Sequence, residues 1–430
     1  MRLLIKNGRL LDPASGFDGA TDILIEDGII AAIKKGIDSA GTEVIDADGK
    51  WVIPGVVDIH VHISEPTRYD RETVRSFGEA AAAGGVTTAL CRPSEDIYLD
   101  DVADIEFLLS RNKKAGKITL KPVAALTRKF HGENLTEFGD LADAGAVALG
   151  DDRNPVQSSR LMRYAMEYAR DHEMPVITFP QDPDLAADGS MNEGALSTLL
   201  GLRGIPYSAE DVIVVRDIIL ARMTNARVHI SPVTTAGSVD LVRRAKADGI
   251  PITCDTAPHY FLLTEKAVEG YDTNAKVNPP LRRERDMAAV RQGLADGTID
   301  AVASAHRPLS TVDKDVEFAA ARFGMSAVET LLPLTLESLC SNGKMEPLDV
   351  VALLTTKPAA VMGIEEAGAV KVGAQGDVTV VDAENERSIN PADFRSKGKN
   401  TAFEGTTAKG FAWATISRGL PVMIDGEIVG

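Results

Sequence analysis

The chain has 430 residues, with 46 Lys and Arg against 63 Asp and Glu and a formal net charge of −17 at pH 7; such acidity argues against nucleic acid and anionic membranes, since neither attracts a negative surface. Hydrophobic residues make up 44% and charged residues 25%, the balance of a globular protein with a sizeable core. Three cysteines, Cys91, Cys254 and Cys340, lie far apart and form no CxxC pair, so a disulfide framework and a thiolate zinc site are not expected, and a reducing cytoplasm is.

The N-terminal run ends at Asn7-Gly8, too soon for a secretory signal. No stretch approaches the ~18 uninterrupted apolar residues of a membrane span. Short strands are expected at Leu3–Lys6, Arg9–Leu11, Thr21–Glu26 and Gly28–Ile33, divided by the turn pairs Asn7-Gly8 and Asp27-Gly28. From Trp51 the pattern changes. A strand over Trp51–Ile59 precedes an Ala-rich helix over Thr73–Ala83, then a strand over Thr87–Cys91 and a helix over Val102–Ala115. The alternation continues through Thr119–Ala125, Ala146–Leu149, Leu161–His172, Val176–Phe179 and Ala209–Thr224. It closes with Val228–Ile230, Ser238–Asp248, Ile252–Cys254, Arg285–Ala295 and Asp300–Ala303. Roughly eight strands alternating with helices favour an α/β fold of the (β/α)8 TIM-like barrel type. A doubly wound open sheet is the alternative, but no GxGxxG opens a helix after a strand. Strands return at Asp377–Val381, Phe411–Ser417 and Pro421–Ile424. Residues 1–53 and 365–430 are therefore expected to form one small β-sandwich domain from both termini, and residues 54–364 the barrel.

Chemistry in such a barrel sits at the C-terminal strand ends. The first ends in Asp58-Ile59-His60-Val61-His62. Residues i and i+2 of a strand share a face, so His60 and His62 point together into the barrel mouth, either as two ligands of one metal or as packed histidines.

These residues also carry a resemblance. Pro54–His62, Ala80–Thr88, Leu135–Gly139, Asp151-Asp152, Met191–Gly194, Thr235–Ser238, Asp272–Arg282, Gly297–Ala301 and Ser396–Gly405 resemble motifs of the dihydroorotases, amidohydrolases of the class with an aspartate where other members have a carboxylated lysine. The resemblance implies a TIM-like barrel, a β-sandwich from both termini, zinc, and reversible cyclisation of carbamoyl aspartate to dihydroorotate in pyrimidine synthesis.

It also implies six metal-site side chains. His60 and His62 match the His-x-His pair, and Asp152 the bridging aspartate. Phe179 stands where the next histidine should be, Pro232 at the histidine of the fourth motif, and Ala305 at the aspartate that is both ligand and general base. Substrate positions depart too: Ser64 replaces an arginine, Ser94 an asparagine and Leu309 a histidine, while Asn278 is retained as a ring contact. His306, beside Ala305, should face away from the site. His229 and His259 read as packed residues, and His131 and His172 as loop and helix-surface residues. Asp182, Lys276 and Lys314 survive as structural residues.

Ala305 offers no proton acceptor, and a lost general base typically costs ~10²–10⁴ in rate. Ser64 cannot make the paired charge-assisted bonds by which Arg holds a carboxylate. The replacements are mainly apolar or small, which implies a filled pocket. The leading expectation is therefore a pseudo-dihydroorotase, inactive and serving as structural partner of the catalytic chain of aspartate carbamoyltransferase, itself a homo-oligomer. The alternative is an active zinc-dependent cyclic amidohydrolase with one metal on His60, His62 and Asp152. A third reading is metabolite binding at Asn278 without turnover.

Overall fold

The computed structural model describes residues 2–341 and 345–429. Eight parallel strands form the central sheet: β1 (Val56–Val61), β2 (Val86–Cys91), β3 (Thr119–Ala124), β4 (Ala148–Leu149), β5 (Val176–Thr178), β6 (Val228–Ile230), β7 (Ile252–Thr256) and β8 (Ala301–Val302). They neighbour one another in chain order. Every residue of β1 and β2 is buried, as expected of strands covered on both faces. The ring closes just beyond β8, where Val61 bridges His306 in parallel and the His62 amide donates to the His306 carbonyl at 2.9 Å. The sheet is thus the (β/α)8 barrel expected from the alternation.

Helices Val74–Ala83, Val102–Ala115, Ser159–Asp171, Ser208–Thr224, Ala236–Ala247 and Glu284–Ala295 alternate with these strands. The Thr235–Ser238 motif shows how one is set. Thr235 caps helix Ala236–Ala247 by accepting from the Ser238 amide at 3.0 Å. Gly237 packs so closely that an added Cβ would lie 2.2 Å from Asp211 Oδ2. The helix then buries Val239, Val242 and Ala245 at three-residue spacing.

Strands from both ends of the chain share a second layer. A seven-stranded sheet runs Glu427–Ile428, Leu420–Ile424, Phe411–Ser417, Val378–Asp382, Trp51–Pro54, Arg9–Asp12, Phe17–Ala20. A four-stranded sheet holds Arg2–Lys6 between Asp22–Glu26 and Glu43–Asp46, with Ile29–Lys34 outside. Leu3, Ile5, Leu10, Ile23, Val52, Val378 and Ile416 share one apolar core.

The expected single strand over Trp51–Ile59 is two. Trp51–Pro54 pairs with Val378–Asp382 in the terminal sheet, and Val56–Val61 enters the barrel. The break falls at Gly55, where a Cβ would lie 2.1 Å from Thr87 Oγ1; only glycine lets the chain cross there. Among the described residues, no helix is long and apolar enough to cross a membrane.

Candidate functional site

His60 near the end of β1 and His62 just beyond it share one face, with ring centroids 5.3 Å apart. Asp152 follows β4 in a left-handed backbone conformation, φ 46°, which aspartate tolerates better than most residues. Ligand atoms of His60, His62 and Asp152 all lie within 4.8 Å of one another, and all three residues are buried. His62 Nε2 is 2.9 Å from Asp152 Oδ1, and His60 Nε2 is 3.9 Å from the same oxygen.

The outer hydrogen bonds fix which nitrogens are free. His62 Nδ1 lies 3.2 Å from the His306 carbonyl and donates there, so Nε2, 2.9 Å from Asp152 Oδ1, bonds that oxygen when it carries a second proton and presents a lone pair to a shared metal when it does not. Ser231 Oγ spends its one proton on Asp255 Oδ2 at 2.7 Å and therefore accepts from His60 Nδ1 at 3.1 Å. His60 Nε2 is thus also a lone-pair nitrogen. Arg92 Nη2 steadies Ser231 from behind at 2.9 Å. This is the orientation that partners of ligating histidines impose. Burial, with Arg92 adding to it, keeps the His60 imidazole well below its usual range. Burial lowers His62 too, against the pull of Asp152. Burial pushes the Asp152 carboxyl up, yet His62, Arg307 and His60 hold it well below the usual carboxylate range.

The replaced positions fall around this group. Phe179 follows β5 and, with Asp151, Asp152 and Thr178, encloses a void of about 10 Å³. Pro232 follows β6 and Ala305 follows β8; with His60, His62 and Asn278 they line a cavity of about 20 Å³. Ala305 sits at φ 51°, left-handed for a residue whose side chain cannot hydrogen-bond to support it. Ser64 and Ser94 are buried but line neither this cavity nor the next one outward; the Ser94 hydroxyl accepts from the Asp96 amide. Leu309 borders a separate cavity with Ser310 and Lys314. Asn278 lines both mouth cavities, and its buried Oδ1 has no partner.

Three of the remaining histidines, His306, His229 and His259, pack as structural residues. His306 turns away: its Nδ1 accepts from the amides of Ala327 and Val328, and its ring packs on Phe77. His229 bonds Thr253 and Asp255. His259, pushed down to about 3 by burial, lies against Tyr260, whose hydroxyl donates to the Pro279 carbonyl beside Asn278. Asp182 caps helix Pro183–Ala186, and Lys314 donates to the carbonyls of Thr273, Lys276 and Arg322. Cys91 and Cys254 are buried free thiols.

One sequence expectation needs correction. The mouth is not simply filled with apolar groups, because two arginines enter it. Arg307 Nη1 reaches Asp152 Oδ2 at 3.3 Å, and its Nη2 is 3.6 Å from Glu95 Oε1. Arg153 lines the same cavity of about 120 Å³ with Glu95, Asn154, Asn278 and Phe323; burial, then repulsion from Arg307, pulls it down to about 9. The signal was present in the sequence. Arg307 stands where the resembling motif Asp-His-Ala-Pro-His has alanine, and Arg153 directly follows the aspartate pair.

A family model described as "Dihydro-orotase-like" matches residues 49–238. A dihydroorotase of Pelotomaculum thermopropionicum is 48% identical over 428 residues, covering 100% of both chains. The chain belongs to the dihydroorotase family. A dihydroorotase of Geobacter sp. (strain M21) is 44% identical over 427 residues, covering 99% of this chain and 100% of that one. Among solved structures, an L-hydantoinase (dihydropyrimidinase) from Arthrobacter aurescens superposes with a TM-score of 0.87 at 24% identity, over 100% of this chain and 97% of that one. A dihydropyrimidinase from Brevibacillus agri gives 0.85 at 21%, over 100% and 96%. At those identities the likeness establishes the shared barrel-and-sandwich fold.

The donor set tests whether this dihydroorotase-family chain fits the family's zinc. Two imidazole lone pairs and one carboxylate oxygen converge, and three protein ligands plus water suit one zinc ion. A second ion is not accommodated. Phe179, Pro232 and Ala305 supply no ligand, and the Arg307 guanidinium already approaches the far oxygen of Asp152. A zinc ion on His60, His62 and Asp152 would supply Lewis acidity and a more acidic bound water.

Proposed function

We propose that this dihydroorotase-family chain no longer opens or closes the dihydroorotate ring and acts in pyrimidine synthesis as an assembly partner. The observation that carries the proposal is the replacement at one corner of the mouth: a methyl group at Ala305 where the family base stands, and the Arg307 guanidinium on Asp152. Ala305 has no carboxylate, so the position where the family holds its base cannot accept the proton of an attacking water. Loss of that step alone is worth ~10²–10⁴ in rate. The cavities of about 120 and 20 Å³ also fall far below the ~300–1,000 Å³ usual for small-molecule sites. Ser64 and Leu309 leave the substrate carboxylate without the arginine and histidine the family uses.

The partner proposed is the catalytic chain of aspartate carbamoyltransferase, with self-association alongside. Helix Ser208–Thr224 supports an assembly role by displaying Val212, Val215, Ile219 and Met223 to solvent at three- and four-residue spacing, Ile219 at 59% exposure. An apolar row of that kind marks protein contacts more often than open surface.

A second reading has its own support. The relatives at 48% and 44% identity are named dihydroorotases, and those names fit an active one-zinc amidohydrolase better than an inert partner. The retained His60, His62 and Asp152 with correctly oriented lone pairs agree with it. Dihydroorotate ring opening by the zinc-supplemented chain separates the two. The inert reading expects no rate above buffer, and measurable turnover would replace it with the one-zinc enzyme. Light scattering of the chain mixed with the carbamoyltransferase at micromolar concentration tests the partner; failure to co-elute removes it.

A further inference from the structure

The loops after β1, β2 and β8 meet over the barrel mouth, and a closed circuit of ion pairs joins them. After β2 the chain makes a tight turn. Ser94 and Ile97 exchange backbone hydrogen bonds at 2.8 and 3.1 Å, with Glu95 and Asp96 at the tip. Asp96 accepts from Arg71 Nη1 of the β1 loop at 3.2 Å. Arg71 also donates through Nε and Nη2 to both oxygens of Asp313, beyond β8, at 2.9 and 2.8 Å. Arg322 lies 3.5 Å from Asp313 Oδ1 and ion-pairs with Glu95, which returns the circuit to the tip.

The two sides of the circuit are unequal. Arg71 and Asp313 are 2% and 7% exposed and joined through a two-pronged fork, and breaking such a pair strands a buried charge. Arg322 and Glu95 are each 49% exposed, where water and salt screen an ion pair and it contributes little. The Glu95 side therefore yields first. On its inner side Glu95 holds Arg307 at 3.6 Å, and Arg307 also reaches Asp152. Arg307, Arg153 and Asn278 line both the outer cavity of about 120 Å³ and the inner cavity of about 20 Å³ beside His60 and His62, so they form the partition between the two. Burial pushes the Glu95 carboxyl up, yet Arg307, Arg153 and Arg322 hold it below its ordinary range. The acid is thus a counter-charge to the partition as well as to the rim. Arg153 is covered by the Phe323 ring, whose centroid is 5.8 Å from Cζ, whereas Arg307 is ion-paired to the exposed Glu95.

We propose that Glu95 is the latch of the barrel mouth: with Arg322 outside and Arg307 inside, it keeps the Arg307 guanidinium on Asp152 and shuts a divalent cation out of the His60, His62 and Asp152 group. Release of Glu95 lets Arg307 turn toward solvent and frees the far oxygen of Asp152. The latch governs entry of the ion, not turnover. Resting on the three-ligand zinc fit, it holds for an inert chain and for a one-zinc enzyme alike.

Stopped-flow uptake of zinc by the metal-stripped chain, followed with a fluorescent zinc indicator, tests the latch. Glu95→Gln keeps the shape and removes the charge, so uptake should quicken roughly fivefold, the weight of an exposed ion pair. Wild-type uptake should also quicken between about 0.05 and 0.5 M sodium chloride, and that of the variant should not. Both signs run against plain attraction of a cation to a chain of net charge −17, because losing an acid or adding salt weakens that attraction. Asp315→Asn, at an exposed acid beyond β8 and outside the circuit, reports the plain effect and should leave uptake equal or slower. Uptake by Glu95→Gln at or below the wild-type rate, or wild-type uptake slowed by salt, overturns the latch and leaves the three-ligand site standing. Absence of zinc uptake by both proteins overturns the latch and the three-ligand fit together, whereas turnover of dihydroorotate would sink only the inert reading.

Discussion

Arg307→Ala restores the residue that the resembling motif carries and removes the guanidinium from Asp152. At 3.3 Å, two unit charges interact by about 5 kcal/mol at an effective dielectric of ~20. Part of that is offset by dehydrating both groups, and breaking a buried pair from one side costs ~3–5 kcal/mol. Asp152 keeps His62, and the Arg307 side chain retains 12% exposure, so roughly 2–3 kcal/mol is expected. Urea unfolding in chelator, followed by circular dichroism, reads it. Asp152 has a depressed carboxyl in the folded chain, so its stabilisation is present above the ordinary value of 3.8 and lost as pH falls through the folded value. The gap between wild type and variant should therefore be full at pH 7 and close on strong acidification. Zinc should stabilise the variant more than the wild type, because the far oxygen of Asp152 is freed; saturation at 100 times the dissociation constant adds ~2.7 kcal/mol. A variant within about 0.5 kcal/mol of wild type, the ordinary range for a neutral surface change, and with the same zinc response would show that Arg307 is a bystander.

Further expectations concern the replaced positions and the rest of the fold. The triple change Phe179→His, Pro232→His and Ala305→Asp should raise zinc content on elemental analysis without restoring much turnover while Ser64, Ser94 and Leu309 remain; strong recovery would show that those three positions matter little. Ala305→Gly should gain about 0.5–1 kcal/mol in urea unfolding, because glycine accepts the φ of 51° that costs alanine ~1–2 kcal/mol, less the freedom glycine gains when unfolded; a loss would mean the alanine methyl packs usefully. Burial pushes the Glu329 carboxyl from 4.5 up to about 7, although the amides of Ser396 and Arg395 donate to it. A raised acid takes up a proton on folding, so this group makes stability fall as pH rises from about 4.5 to 7. Glu329→Gln should flatten that slope by up to ~1.4 kcal/mol per pH unit, and an unchanged slope would refute the shift. Ile219→Glu should lower the mass seen by light scattering if helix Ser208–Thr224 is an assembly face; unchanged mass would move the interface elsewhere.

The barrel was legible because its strands are near-continuous apolar runs separated by helix-length segments, a pattern local enough to read along the chain. His60 and His62 were legible for the same reason, since two-residue alternation fixes their common face. Asp152 is different. It lies 90 residues away from His62, and only the resemblance pointed to it before the structure brought the two within 2.9 Å. The split at Gly55 escaped notice because a glycine between two apolar runs looks like a strand interior; the close approach of Thr87 is a tertiary fact. Arg153 and Arg307 escaped for a related reason. Position by position the eye follows the ligands that vanish, whereas a new cation matters only through what the fold places opposite it.

At the barrel mouth the Arg307 guanidinium lies on Asp152 and a methyl group stands at Ala305, where the resembling family has a metal ligand and base. Zinc content of the chain after zinc-supplemented purification and exhaustive dialysis tests this most directly. At most one weakly held zinc per chain is expected, rising in Arg307→Ala. Two tightly held zinc ions per wild-type chain would overturn it.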